Sequence, residues 1–164
     1  MLEFARWFRQ IVPGCDQSYV AAVANRVGVR ESARVVGRHT LTRDEILNPK
    51  PCEHAIAQAA FPIDIHEPDK PSLSHTEQLS RPFGIPYGCL IADGLDNLLL
   101  AGRCISSTHE ANGSVRITAT CFATGEAAGV AAAMAARQGV TASNVTVAGV
   151  RQRLRDRGAI VDAG

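Results

Sequence analysis

The sequence predicts an α/β fold, and three observations carry that expectation. The continuous apolar run Leu98-Leu99-Leu100-Ala101 ends at Gly102 and reads as a strand buried on both faces. A proline-free, alanine-rich stretch from Ala119 to Arg137 follows and reads as a long helix. Upstream, seven of the 8 prolines fall between Pro49 and Pro86, where extended segments and loops should dominate. The texture changes near Tyr87. The chain therefore reads as one unit with a β-rich region at 1–86 and a second region at 87–164 that ends in helices.

Taken in order, residues 2–11 have helical spacing, with Leu2, Ala5, Phe8 and Val12 near one face, and Pro13-Gly14 stops the helix. The Val- and Ala-rich alternation from Ser18 to Val29 predicts a strand. Thr42-Arg43-Asp44-Glu45 has the form of a capping box and predicts a short helix over 43–47. Phe61 to His66 predicts a strand, and Lys70 to Arg81 a mobile, exposed loop. After the short apolar segment Tyr87 to Ala92, Asp93-Gly94 and Asp96-Asn97 supply turns. Gly139 ends the alanine-rich helix, and Gly158 stops a last amphipathic helix over Val147 to Arg157. Its four arginines, Arg151, Arg153, Arg155 and Arg157, read as a solvated face.

Composition narrows the function. The 164 residues are 46% hydrophobic, which is ample for a folded core, and 17 Lys+Arg against 16 Asp+Glu leave a formal +1. That balance gives no electrostatic reason for nucleic acid as a partner. Cys15, Cys52, Cys89, Cys104 and Cys121 never form CxxC, so neither a zinc site nor a disulfide framework is expected, and a cytoplasmic setting with reduced thiols is. Arg6 and Arg9 interrupt the N-terminus before a signal-like apolar run develops. The most apolar stretch, Gly129 to Ala136, is far shorter than the roughly 20 residues a membrane span needs, so no membrane partner is expected. No GxSxG is present to suggest a serine hydrolase.

Chemistry concentrates in residues 97–136, which read as strand, glycine-containing loop and helix start. Amides of the first helical turn, Thr118 to Phe122, lack intrahelical acceptors and with the helix dipole favour an anion. Gly125 and Gly129 leave a flat strip that suits either close packing or a cofactor. Asp64 and His66 share a strand face, but further ligands are lacking, so no metal site is expected.

Within this region lie Ala101-Gly102-Arg103, Cys104-Ile105-Ser106, Thr108-His109-Glu110-Ala111, Gly113-Ser114-Val115-Arg116 and Cys121-Phe122-Ala123-Thr124-Gly125-Glu126-Ala127-Ala128-Gly129. Upstream stand Gly28 to Gly37 and Phe61-Pro62-Ile63-Asp64-Ile65-His66. This ordered set, over roughly residues 10–160, resembles the C-terminal portion of FAD-dependent oxidoreductases related to glutathione reductase and succinate dehydrogenase. The resemblance implies part of a Rossmann-like FAD-binding domain beside a β-rich substrate-side region, with FAD as cofactor and a small-molecule substrate. It implies hydride transfer between a substrate carbon and flavin N5.

The same resemblance implies the site residues. Gly102 would let the flavin approach the backbone, and Thr120, Cys121 and Phe122 would lie at its pyrimidine edge. Arg103 would meet the pyrophosphate or the ribityl chain. Ser106, Gly113, Ser114 and Gly125 belong to the same cofactor-binding motifs. Arg116 would face flavin or substrate, or form a core salt bridge. His66, His109 and Arg30 are the catalytic candidates; each histidine has a structural role as its alternative, and Arg30 with Glu31 either lines the substrate cavity or forms an ion pair that fixes the strand end.

One family feature is missing. No two of the 14 glycines are separated by one residue, so the GxGxxG unit that holds the ADP half of FAD does not occur. The chain is therefore expected to be a fragment, a truncated gene product, or a chain that needs a separate N-terminal half. A non-catalytic interaction module is the alternative class.

Overall fold

Helix α1 (Leu2–Ile11) opens the computed structural model, which describes residues 2–66 and 74–162. It stops where Gly14 takes φ +81°, and none of its residues is buried. Its aromatic rings instead pack on each other, Phe4 against Trp7 at 5.6 Å and against Phe8 at 6.1 Å between centroids.

The strand expected over 18–29 does not form. Residues 18–36 form no regular element and bend at Asn25 and Arg26, and Val20, Val23, Val27 and Val29 face solvent. Alternation makes a strand only where a neighbour takes up the backbone N–H and C=O groups, and no strand lies alongside. The first pairing comes at Gly37, bridged to Ala92.

The capping box does form. Thr42 Oγ1 accepts the Glu45 amide while the Glu45 carboxylate accepts the Thr42 amide, starting α2 (Arg43–Leu47) and burying Ile46. Two small antiparallel sheets follow. Strand β1 (Ala55–Ala59) pairs with β4 (Phe83–Pro86), and β2 (Ile63–His66) with β3 (Ser74–Glu77). The strand expected at Phe61 to His66 is thus present. Of the loop expected over 70–81, residues 74–77 form β3, which Glu77 ties to Arg43 of α2, while 70–73 lie outside the described residues.

The Leu98–Ala101 run is not a strand covered on both faces. It folds back on the segment before it, with Leu100 N–H on Leu90 O at 2.7 Å and Ala92 N–H on Leu98 O at 3.3 Å. Gly94 makes the turn at φ +72°. Leu100 is buried, whereas Leu98, next to the turn that ends at Asn97, is 43% exposed.

Helix α3 (His109–Val115) lies where a polar loop was expected, capped by Thr108 Oγ1 on the Ala111 amide. It crosses β2 at Gly113, where a Cβ would lie 3.0 Å from Asp64 O. Helix α4 (Thr118–Gln138) ends at Gly139 with φ +65°, packs against β1 and buries Ala127, Ala131 and Ala135. By length and composition alone α4 could span a bilayer, a longer apolar element than the 129–136 run suggests. Helix α5 (Val147–Asp156) packs on α4 and β1.

Arg151 corrects the solvated-face reading of α5. It is buried, donates to the carbonyl of Ala55 and pairs with Asp162, whereas Arg153, Arg155 and Arg157 are exposed. A β1 carbonyl facing the helix needs a donor, and Arg151 supplies it. One hydrophobic core joins Leu41, Ile56 and Phe83 to Leu90, Val115, Ala127 and Leu154, drawing on both 1–86 and 87–164. The result is a mixed arrangement of helices and small sheets, compatible with the α/β class.

Candidate functional site

Site geometry begins at the tight turn Gly102–Cys104 beside the start of α4. Gly102 has φ +70°, a conformation that disfavours any side chain. Its N–H donates to Thr124 Oγ1 at 3.0 Å, and that hydroxyl donates to Thr120 O at 2.9 Å, so α4 fixes the turn through two buried threonines. Cys121 fills the side toward α4, its Sγ 3.6 Å from where a Gly102 Cβ would stand. Burial pushes the Cys121 thiol up, with Arg103 acting the other way.

The start of α4 carries no cap. Ile117 offers no side-chain acceptor, so the first-turn amides of Thr118, Ala119 and Thr120 have none within the helix. The Cys121 amide already donates to Ile117 O at 2.9 Å, and Phe122 lies a residue further along the ladder. The set of free amides is therefore shifted toward the N-terminus from the one expected at 118–122. Two side-chain atoms nearby, Ser107 Oγ and Asn112 Oδ1, are buried without a hydrogen-bond partner. Asn112 Nδ2 is held by Arg103 O at 3.2 Å, which fixes the plane of the amide. Orphaned buried acceptors invite a ligand that brings O–H or N–H donors.

Across this turn lies the segment before Gly37. Glu31 accepts from His109 Nδ1 at 2.8 Å and from Arg34, and its other oxygen is 3.9 Å from Arg116 Nη1. Burial raises the Glu31 carboxyl, and the His109 hydrogen bond with the charges of His109 and Arg34 outweighs it, so its pKa lies below the ordinary value. Arg34 Nε also donates to Ser107 O at 3.0 Å, Arg103 Nη1 to Val29 O at 2.8 Å, and Arg116 Nη2 to Asp64 O at 2.8 Å.

The structure thus gathers Gly102, Arg103, His109, Arg116, Thr120 and Cys121 around one turn. Arg30 sits on the overlying segment, exposed and without an ion pair among the described residues. Other residues are elsewhere or otherwise engaged. Phe122 is 74% exposed beside Ile160, and Gly125 and Gly129 face open space on α4. Ser106 is buried against Thr40 at 2.9 Å, Ser114 donates to Phe61 O, and Gly113 admits β2. His66 ends β2, and its side chain lies outside the described residues. Glu31, read from sequence as lining a cavity or pairing with Arg30, instead joins His109, Arg34 and Arg116, and Thr124 as the clamp was missed. Thr124 stood within a quoted motif, whereas nothing local marks Glu31 as the partner of a histidine 78 residues away.

A family model described as FAD dependent oxidoreductase matches residues 1–154. No curated protein and no solved structure matches the chain.

Proposed function

Since the chain belongs to the family of FAD dependent oxidoreductases, we propose that its Gly102 turn and the start of α4 form the flavin and ribityl side of an FAD site. The uncapped start of α4 beside a positive-φ glycine carries this reading. FAD, when bound, supplies a centre that exchanges a hydride with a substrate carbon. The Thr118, Ala119 and Thr120 amides and the helix dipole favour negative charge at the flavin edge. Asn112 Oδ1 and Ser107 Oγ are acceptors suited to ribityl hydroxyls, and Arg103 is a cation suited to the ribityl chain or the pyrophosphate.

His109, oriented through Nδ1 by Glu31, keeps Nε2 to exchange a proton with a small-molecule substrate. Arg116 orients Glu31, and Arg30, exposed and without an ion pair among the described residues, is a cation for an anionic substrate group. His66 is the second acid–base candidate. The fold reading that goes with this is part of a Rossmann-like FAD domain beside a β-rich substrate-side region. The ADP end of FAD then falls to a GxGxxG-bearing half, because this sequence contains no GxG. Five free thiols support a cytoplasmic setting.

A second reading, a non-catalytic interaction module, rests on α1, which buries nothing and exposes Phe4 and Trp7. Visible spectra of the chain purified with FAD separate the two readings. They are recorded alone and after mixing with a GxGxxG-bearing half. Flavin bands retained in the mixture support the FAD site. A folded, monodisperse chain that retains flavin in neither sample sinks it and favours the interaction module.

A further inference from the structure

A cleft of about 730 Å³ lies away from the Gly102 turn, between α2, the 48–54 segment and β4. We propose that this cleft is a second ligand site, one that takes a small protonated amine with an apolar body through His39, Glu45 and the carboxylates at its mouth.

Glu45 sets the chemistry. Its Oε2 accepts from the Thr42 amide at 2.9 Å and from Thr42 Oγ1 at 2.8 Å, and its Oε1 meets His39 Nε2 at 2.8 Å. A carboxylate so held takes the Nε2 proton in a hydrogen bond, so that in the neutral imidazole Nδ1 is the acceptor. The capping box that starts α2 therefore also orients a histidine at the cleft. An acceptor nitrogen in a cleft calls for a ligand N–H or O–H donor.

Charge selects between those donors. Asp44, Glu45 and Glu53 outnumber Lys50 among the lining side chains, and Arg43, 3.7 Å from Asp44, is itself paired with Glu77, so the cleft favours a cation over an anion. A metal ion is a poorer fit, since no group of three or more His, Cys, Asp or Glu among the described residues is placed to hold one. Leu41, Pro49 and Phe83 are buried beneath the cleft and offer an apolar floor. The wall is close-packed at Gly84, where a Cβ would lie 2.7 Å from Ala55 Cβ and 3.3 Å from Cys52 Cβ. The cleft is thus preformed, and its volume is in the range that takes a small organic ligand.

The inference stands apart from the FAD reading, because no residue of the Gly102 turn or α4 lines this cleft. Benzylamine titrated into the chain without flavin, followed by calorimetry and by the His39 ring signals, tests it, with benzyl alcohol and benzoate as comparators. Saturable benzylamine binding that moves the His39 signals is expected, with benzyl alcohol roughly tenfold weaker and benzoate weaker still. His39→Asn and Glu53→Gln should each weaken benzylamine roughly tenfold, the loss typical of one hydrogen bond to a charged group. Glu53 is exposed, so its variant keeps the fold even if the His39 variant loses α2. Benzoate binding as tightly as benzylamine, full affinity in a folded Glu53→Gln chain, or no saturable binding at millimolar amine would each overturn the proposal.

Discussion

His109 Nδ1 and Glu31 Oε1 meet at 2.8 Å across 78 residues of chain, and that bond fastens the segment before Gly37 over the first turn of α3. The Glu31 carboxyl lies below its ordinary 4.5 despite its burial, because His109 and Arg34 favour the charged form. A carboxylate whose pKa is depressed by folding stabilises fully above its unfolded value and loses that contribution as pH falls through the folded one. Protection of the Val35 amide, bonded to Cys104 O at 3.1 Å, reads this fastening directly. Hydrogen exchange corrected for intrinsic rate should show wild-type protection steady above about pH 5 and falling below the ordinary carboxylate range. Glu31→Gln should show weaker protection at neutral pH and no such step.

Thr124→Val removes the hydroxyl that accepts from the Gly102 amide. A buried N–H left unpaired costs about 1–3 kcal/mol, so urea denaturation should register a loss of that size. A variant as stable as wild type would mean that the turn finds another acceptor.

Two glycines in helices should respond in opposite directions. Gly113→Ala drives a Cβ toward the backbone of Asp64 at 3.0 Å, where β2 has little room to yield, and should cost about 1–3 kcal/mol. Gly125→Ala meets nothing within 4 Å on an exposed helix face and should gain up to about 1 kcal/mol from helix propensity. Parallel denaturation curves check both.

Burial pushes the Cys89 thiol up to about 12, against the pull of its hydrogen bond to the Leu41 backbone. Alkylation needs the thiolate, so Cys89 should resist iodoacetamide at mildly alkaline pH until the chain is unfolded. Peptide mass mapping before and after denaturant checks it, and rapid labelling of Cys89 in the native protein would contradict its burial.

What the sequence made legible is what neighbours in the chain decide. Thr42 and Glu45 are three residues apart and make their capping box with no help from the core, and Gly139 and Gly158 end α4 and α5 by their own backbone freedom. Elements that depend on distant partners were missed or misread. Ala55–Ala59 has no β-branched alternation and becomes a strand because Phe83–Pro86 lies beside it. Ser18 to Val29 has the alternation and stays unpaired. Helix α3 contains Asn112 and Gly113, poor helix formers, and persists because it is buried against β2. Within the site the motif residues at 102–121 were visible as a string. That Arg103, Arg116 and His109 are organised by Val29, Asp64 and Glu31 is a fact of tertiary approach.

Among the described residues none before Leu41 is fully buried, although the chain has by then made α1 and crossed the Gly102 turn. The leading quarter is held to the rest like a strap by a few clasps, Val29 to Arg103, Glu31 to His109 and Val35 to Cys104, and a strap can be cut without dismantling what it crosses. Trypsin should nick first after Arg26 or Arg30, which lie in unpaired backbone, and leave a resistant body from about residue 31 onward that keeps its cooperative unfolding transition. Whatever α1 engages, this chain can lose it by one cut and remain folded.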